Sequence, residues 1–283
     1  MTGTTLLPHF IIIGAMKCGT TTLYRHLDDH PGIDMSRDKE TDFFVAEKNW
    51  DRGFDWYGAQ FDGSSPGCER LRGEASPNYA KSRDFPGVPE RIAAACPDVR
   101  LVYILRDPVA RAESQFRHSV LIGDLPPTLD GLAGSHEYAH ILDASLYARQ
   151  LEAYLAHFEP AAILIEDFDD LLADPQAVLD RVHAHIGAPV RIIGEAGSSN
   201  DSAQLSRIPA PILRFAQSPF GRVLAGLVSR EMRDRVRGVL ARGKARQAPP
   251  FPDDLIVRLR ADLAEDTARL RRMTGKTFSG WSV

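Results

Sequence analysis

Lys17 stands in the run Phe10-Ile-Ile-Ile-Gly14-Ala-Met-Lys17-Cys18-Gly19-Thr20-Thr21-Thr22-Leu23, whose residue types suit the binding of an anion. A lysine, glycines that relieve a tight turn, and threonines that open a helix bring positive charge, backbone N–H groups and hydroxyls to one point. The preferred occupant is a group with several oxygens, such as a nucleotide phosphate. Two carboxylates follow as candidates for moving a proton: Glu40, in Lys39-Glu40-Thr-Asp-Phe43-Phe44, and Glu74, in Gly73-Glu74-Ala75-Ser76-Pro77-Asn-Tyr79. Phe43 and Phe44 offer apolar surroundings that would raise the Glu40 pKa towards the working range of a base. Glu40 equally fits a solvated loop residue, and Glu74 fits a group that orients Lys17 or a neighbouring backbone group. Cys18 reads as a small filler, since no histidine lies near it in sequence to generate a thiolate.

The elements that must position these groups alternate. Phe10 to Ile13 has the apolar continuity of a strand covered on both faces, and the helix opened by Thr20 should end before His30-Pro31-Gly32. His26 and His30 fall on a helix expected to point away from the loop. The Phe43-Phe44 pair and the later Gly53-Phe-Asp55-Trp56-Tyr57 cluster are expected to pack against each other. Leu71 to Glu74 is a short strand stopped by Pro77, Pro89 to Cys96 a short helix, and Arg100 to Leu105 a second buried strand that runs into Arg106-Asp107-Pro108. In an open parallel sheet ligands bind beyond the carboxyl ends of strands, so Arg106 can face the same cleft as Lys17. Arg106-Asp107 also fits a salt-bridged cap, with Pro108 in the first turn of a helix that carries Arg111, Ser114 and Phe116. Ser145 to Phe158 has helical spacing, Ala161 to Ile165 is a third buried strand, and Asp174-Pro175 caps a helix to about Ile186. This alternation predicts an α/β fold, a single domain over 1–283 with a central parallel sheet flanked by helices.

Gly194 to Ser206 is a polar loop, and Gly221 to Gln247 is a basic amphipathic helix whose charges fit a solvated face. Asp253-Asp254 starts a last helix through Leu270. With 283 residues, 43% apolar and 25% charged, the chain has the composition of a soluble globular protein. A net charge of −4 gives no reason to expect nucleic acid as a partner. No apolar run reaches membrane-span length and no basic leader precedes Phe10, so a cytoplasmic protein is expected. Cys18, Cys68 and Cys96 lack metal-like spacing and are expected to be reduced thiols.

The position of the lysine separates this loop from that of nucleoside triphosphatases, where it follows the second glycine and directly precedes Ser or Thr. Gly14-x-x-Lys17-x-Gly19-Thr20-Thr21 instead resembles the loop of sulfotransferases that use 3′-phosphoadenosine-5′-phosphosulfate (PAPS). Further matches follow in chain order. Glu40-x-x-Phe43-Phe44 with Gly53-x-Asp55-Trp56-Tyr57, Glu74-x-Ser76-Pro77-x-Tyr79, Arg106-Asp-Pro108-Val-x-Arg111-Ala-x-Ser114 and Met273-Thr-Gly275-x-x-Phe278 are similar to segments of the heparan sulfate 3-O- and N-sulfotransferase branch. Gly243-Lys244-Ala-Arg246 is a loose version of that branch's Lys-Gly-Arg nucleotide loop.

The resemblance implies a P-loop-like sulfotransferase fold and transfer of a sulfuryl group from PAPS to a hydroxyl, in preference to an amine, with no metal. The acceptor would be a small molecule, a glycosyl group or a natural product. It implies that Lys17 meets the leaving phosphate, that the loop from Lys17 through Cys18 and Gly19 to Thr20, Thr21 and Thr22 holds the 5′-phosphate, and that Arg106 and Ser114 hold the 3′-phosphate. Lys244 and Arg246 would close over the nucleotide, and Glu40 would be the base, with Glu74 at the next strand end the competing candidate. Two departures matter: Ala75 stands where the branch has a lysine, and its two-cysteine hairpin is absent, so the acceptor side is expected to be rebuilt. The Ala- and Arg-rich composition suggests a bacterial enzyme. A P-loop kinase, with Asp107 holding Mg²⁺, and a catalytically silent nucleotide- or glycan-binding module remain alternatives.

Overall fold

A computed structural model of the chain describes residues 6–61, 70–192 and 248–283. Cys68, the Gly194 to Ser206 loop, the basic stretch from Gly221, Lys244 and Arg246 lie outside the described residues. The chain divides into two compact units, one formed by Met1–Arg111, Leu142–Gly194 and Val257–Val283, the other by Ala112–Ile141 and Glu195–Ile256.

The first unit is built on a five-stranded, all-parallel sheet with strand order β2-β3-β1-β4-β5. Its strands are β1 (Phe10–Gly14), β2 (Ile33–Met35), β3 (Leu71–Ala75), β4 (Arg100–Leu105) and β5 (Ile163–Asp167). The central β1 is buried at every position, and β4 at every position but Arg100. This is the burial expected where helices cover both faces of a parallel sheet. Each such aliphatic side chain contributes about 1.5–3 kcal/mol relative to exposure. In chain order the helices of this unit include α1 (Thr20–Asp28), α2 (Gly53–Gly58) and α3 (Val88–Ala95). Helix α4 (Pro108–Ile122) begins in this unit and ends in the other, and α5 (His136–Asp143) returns from it. Then follow α6 (Tyr147–Leu155), α7 (Phe168–Ala173), α8 (Pro175–Ile186) and α9 (Asp253–Thr274), whose first residues belong to the other unit.

The local reasons match the sequence. Helix α1 buries Leu23, Tyr24 and Leu27 on one side and stops at Asp29, where His30 accepts from the Gly32 N–H at 3.0 Å. Asp174 caps α8 by accepting from the Ala177 N–H at 3.0 Å, with Pro175 at the first position. The two aromatic clusters do pack together: Phe43 stacks on Tyr57 with ring centroids 4.2 Å apart and meets Trp50 and Phe54 within 5.3 Å. Strand β2 has no counterpart in the sequence reading, because three residues carry no readable period. It pairs with β3 from Ile33–Leu71 to Met35–Gly73 and delivers the chain to the carboxyl edge of the sheet.

The Met273 to Phe278 segment folds back onto that edge. Phe278 stacks on Trp281 at 4.1 Å, the Trp281 indole donates to Asp167 at 3.1 Å, and the Ser282 N–H donates to Asp107. In the second unit, Phe116 of α4 packs on Phe251 with ring centroids 5.4 Å apart. No helix among the described residues is long and apolar enough to cross a membrane.

Candidate active site

The connections leaving β1 and β4 run in opposite directions along the sheet, β1 towards β2 and β4 towards β5, so the topological switch point lies between these adjacent strands. Lys17 follows β1 and Arg106 ends β4, which places both on the edge where this architecture binds ligands. The loop between β1 and α1 is anchored by the Ala15 N–H, which donates to the Ile104 carbonyl at 2.7 Å, and by the Cys18 N–H, which donates to the Ala15 carbonyl at 3.2 Å. The N–H groups of Lys17 and Gly19 find no acceptor among the described residues. Gly19 precedes α1 at φ +84°, and a Cβ there would lie 2.6 Å from the Phe168 ring, so this turn admits only glycine. Thr20 is buried, Thr21 half-buried and Thr22 exposed, so the three hydroxyls do not share one direction.

Lys17 has φ +70°, a left-handed conformation that costs a non-glycine residue about 1–3 kcal/mol. Its pKa is lowered from the ordinary value, first by burial and then by Arg106 and Lys39, with Glu40 opposing. Cys18 is fully buried, near Tyr147 Oη at 3.7 Å, and burial pushes its thiol up to about 11. That fits packing and excludes a ready nucleophile.

Glu40 is held at the carboxyl end of β3 by its backbone N–H, which donates to the Ala75 carbonyl at 3.0 Å. It too is left-handed, at φ +66°, and its side chain is 48% exposed and paired with Lys39. Desolvation opposes its ionisation, but Lys39, Lys81 and Lys48 outweigh that and hold its carboxyl below the ordinary range. The expected rise from Phe43 and Phe44 does not occur, because their rings turn to Tyr57 and Tyr79 while three lysines converge on the carboxylate.

Glu74 presents the opposite environment. It is 0% exposed, accepts from Thr41, from Tyr57 at 2.9 Å and from Ser76 at 3.4 Å, and burial raises its pKa to about 7.

Asp107 accepts from the Ala110 N–H at 2.8 Å as the cap of α4 and also takes the Ser282 N–H, while the Arg106 guanidinium lies 5.1 Å from the Phe168 ring centroid. The carboxylate that a kinase would need for Mg²⁺ is thus engaged with backbone. Ser114 is half-buried on α4 in the second unit.

Two residues join this edge without having been singled out by motif reasoning for the site. Arg111, fully buried in the first turns of α4, donates to Ser145 at 2.6 Å. Lys81, also buried, follows the 3₁₀ turn Pro77–Ala80. With Lys17, Lys39, Lys48 and Arg106 they make a locally cationic edge on a chain of net charge −4. A lysine in a loop gives no sequence signal of this kind; only its burial distinguishes it.

The family model described as "Sulfotransferase domain" matches residues 7–207. Human heparan sulfate glucosamine 3-O-sulfotransferase 3B1 is 31% identical over 192 residues, 65% of this chain and 47% of its own length. Human bifunctional heparan sulfate N-deacetylase/N-sulfotransferase 3 is 32% identical over 198 residues, 64% of this chain and 22% of its own. The chain thus spans less than half the length of either relative. A crystal structure of a sulfotransferase from Alicyclobacillus acidocaldarius superposes with a TM-score of 0.71 at 25% identity, covering 98% of this chain and 100% of that one.

Proposed function

This chain belongs to the sulfotransferase domain family, and from that premise we propose that it transfers a sulfuryl group from PAPS to an acceptor hydroxyl, releasing adenosine 3′,5′-bisphosphate. The observation that carries this reading is the meeting of Lys17 and Arg106 at the sheet's switch point with Glu40, a carboxylate ionised in a cationic setting, at the neighbouring strand end.

Lys17 and the N–H groups of the loop take the phosphate oxygens of the donor, and Lys17 neutralises the charge that grows as the phosphate leaves. The lowered pKa of free Lys17 reflects burial and the like charges around it, which a bound polyanion relieves. Arg106 takes the 3′-phosphate. Glu40 accepts the acceptor proton as oxygen attacks sulfur. Its low pKa keeps it ionised and able to accept a proton at neutral pH, and its exposure leaves it open to an acceptor. The sulfuryl group in flight is electron-poor, so positioning and charge supply most of the acceleration. Small molecules, glycosyl groups and natural products all fit the acceptor class.

The test is transfer of label from ³⁵S-PAPS to a panel of hydroxylated acceptors. Calorimetric binding of PAPS and its bisphosphate product runs alongside it. Protein that binds neither nucleotide defeats the reading.

A further inference from the structure

The edge that lacks a lysine at position 75 has one at position 81. Lys81 lies just past the turn that leaves β3 at its carboxyl end. Its predecessor Ala80 packs on the start of the phosphate loop, since a Cβ built on Gly14 would come within 2.9 Å of the Ala80 Cβ. Lys81 is 5% exposed, and its ammonium makes no ion pair or hydrogen bond among the described residues. Asp42 is no substitute partner: its Oδ2 is taken by Lys48 and by Asn78 at 2.9 Å, and its buried Oδ1 has no partner.

The groups that act on Lys81 come from several directions. Arg111 of α4 and Lys48 repel it, Asp84 and Asp42 attract it, and Glu40 in turn feels its charge. Burial together with Arg111 and Lys48 lowers its pKa to about 8. The stem of Lys81 is enclosed while its unpaired ammonium is left at the opening of the site, within reach of an incoming anion. Its natural complement is a bound anion lying between the loop and Glu40.

We propose that Lys81 is the second cation of the transfer site and holds the sulfuryl oxygens of the donor, supplying the charge that Ala75 does not. The inference rests on the sulfuryl-transfer reading. In the step, the acceptor oxygen forms the new S–O bond while the S–O bond to the 5′-phosphate breaks. The electron pair of the broken bond leaves on the phosphate oxygen at Lys17, and the acceptor proton passes to Glu40. Lys81 stays protonated throughout and offsets charge on the sulfuryl oxygens.

Lys81→Met keeps the unbranched stem of the side chain and removes its charged head. Turnover of PAPS and affinity for adenosine 3′,5′-bisphosphate, which has no sulfuryl group, are measured on wild type, Lys81→Met and Lys81→Met with Ala75→Lys. The methionine variant should lose roughly 10²-fold in kcat, the scale for one lost contact to developing charge, with bisphosphate affinity within a few-fold of wild type. Ala75→Lys should restore part of the rate, with melting temperature reporting whether that variant folds. PAPS binding above about pH 8 should take up more protons in wild type than in Lys81→Met, read by calorimetry in buffers of different ionisation enthalpy.

Wild-type kcat in Lys81→Met overturns the inference, whatever the rescue variant does. An equal loss of PAPS and bisphosphate affinity also overturns it, by putting Lys81 on the nucleotide phosphates. Wild-type protein that fails to bind PAPS overturns the donor reading itself, and this inference with it.

Discussion

The phenolic O–H of Tyr57 donates to Glu74 Oε1 at 2.9 Å, tying the carboxyl at the end of β3 to the aromatic cluster that covers it. Glu74 also takes hydroxyls from Thr41 and Ser76 and has no ion pair among the described residues. Its folded pKa of about 7 exceeds its ordinary 4.5, so between those values the folded protein keeps a proton that the unfolded chain has lost. The stability this group contributes is full below about pH 4.5 and is lost as pH rises through about 7. Glu74→Gln should therefore show a smaller fall in melting temperature than wild type between about pH 4.5 and 8. A variant that tracks wild type across that window would show that Glu74 does not titrate there.

The two carboxylates should separate by rate as well. Glu40→Gln is expected to lower kcat by roughly 10²–10⁴, the range for losing a general base, with PAPS affinity nearly unchanged. Glu74→Gln should stay within about tenfold of wild type, since an enclosed carboxyl offers an acceptor no approach. Single-turnover kinetics with labelled PAPS measure both, and the reverse order of effects would exchange the roles.

Lys17→Ala should cost roughly 10²–10³ in kcat, as expected for one donor to a developing anion. Activity should survive EDTA. Dependence on Mg²⁺ with transfer of a γ-phosphoryl group from ATP would instead mark a kinase.

Adenosine 3′,5′-bisphosphate should bind more tightly than AMP, and Arg106→Ala should narrow the gap by about 1.5–3 kcal/mol, the worth of a charge-assisted contact. Equal wild-type affinities, measured by calorimetry, would remove Arg106 from the 3′-phosphate.

Gly19→Ala should weaken nucleotide binding and lower the melting temperature. It faces both a positive φ and the Phe168 ring at 2.6 Å, and the backbone strain alone is about 1–3 kcal/mol. Trimming Phe168 to Leu in the same chain should recover only the steric share.

The strands that position the site were readable because they are buried on both faces: β1 and β4 are near-continuous apolar runs, and each announces the residue at its carboxyl end, Lys17 and Arg106. The Asp174-Pro175 cap and the packing of Phe43 with Tyr57 were readable for local reasons, one from cap chemistry and one from aromatic density. Strand β2 was not, since Ile33-Asp34-Met35 is too short to show a period. The charge that most lowers the Glu40 pKa, Lys39, is its sequence neighbour, but its pairing with Glu40 and the added charges of Lys81 and Lys48 are set by folding, which the flanking Phe43 and Phe44 do not reveal. Lys81 itself belongs to no motif. The burial of its side chain without a paired carboxylate is set by three-dimensional packing, which no spacing encodes.

Lys17 and Glu40 both sit at positive φ, and that places function and robustness in opposition at the same two positions. Glycine at either should relieve backbone strain of about 1–3 kcal/mol. It should thereby raise the melting temperature while removing the side chain proposed to meet the leaving phosphate or to act as base. Selection of variants of this chain for heat resistance alone would thus drift towards inactive proteins. A library screened by thermal challenge should return Lys17→Gly or Glu40→Gly unless turnover is scored at the same time.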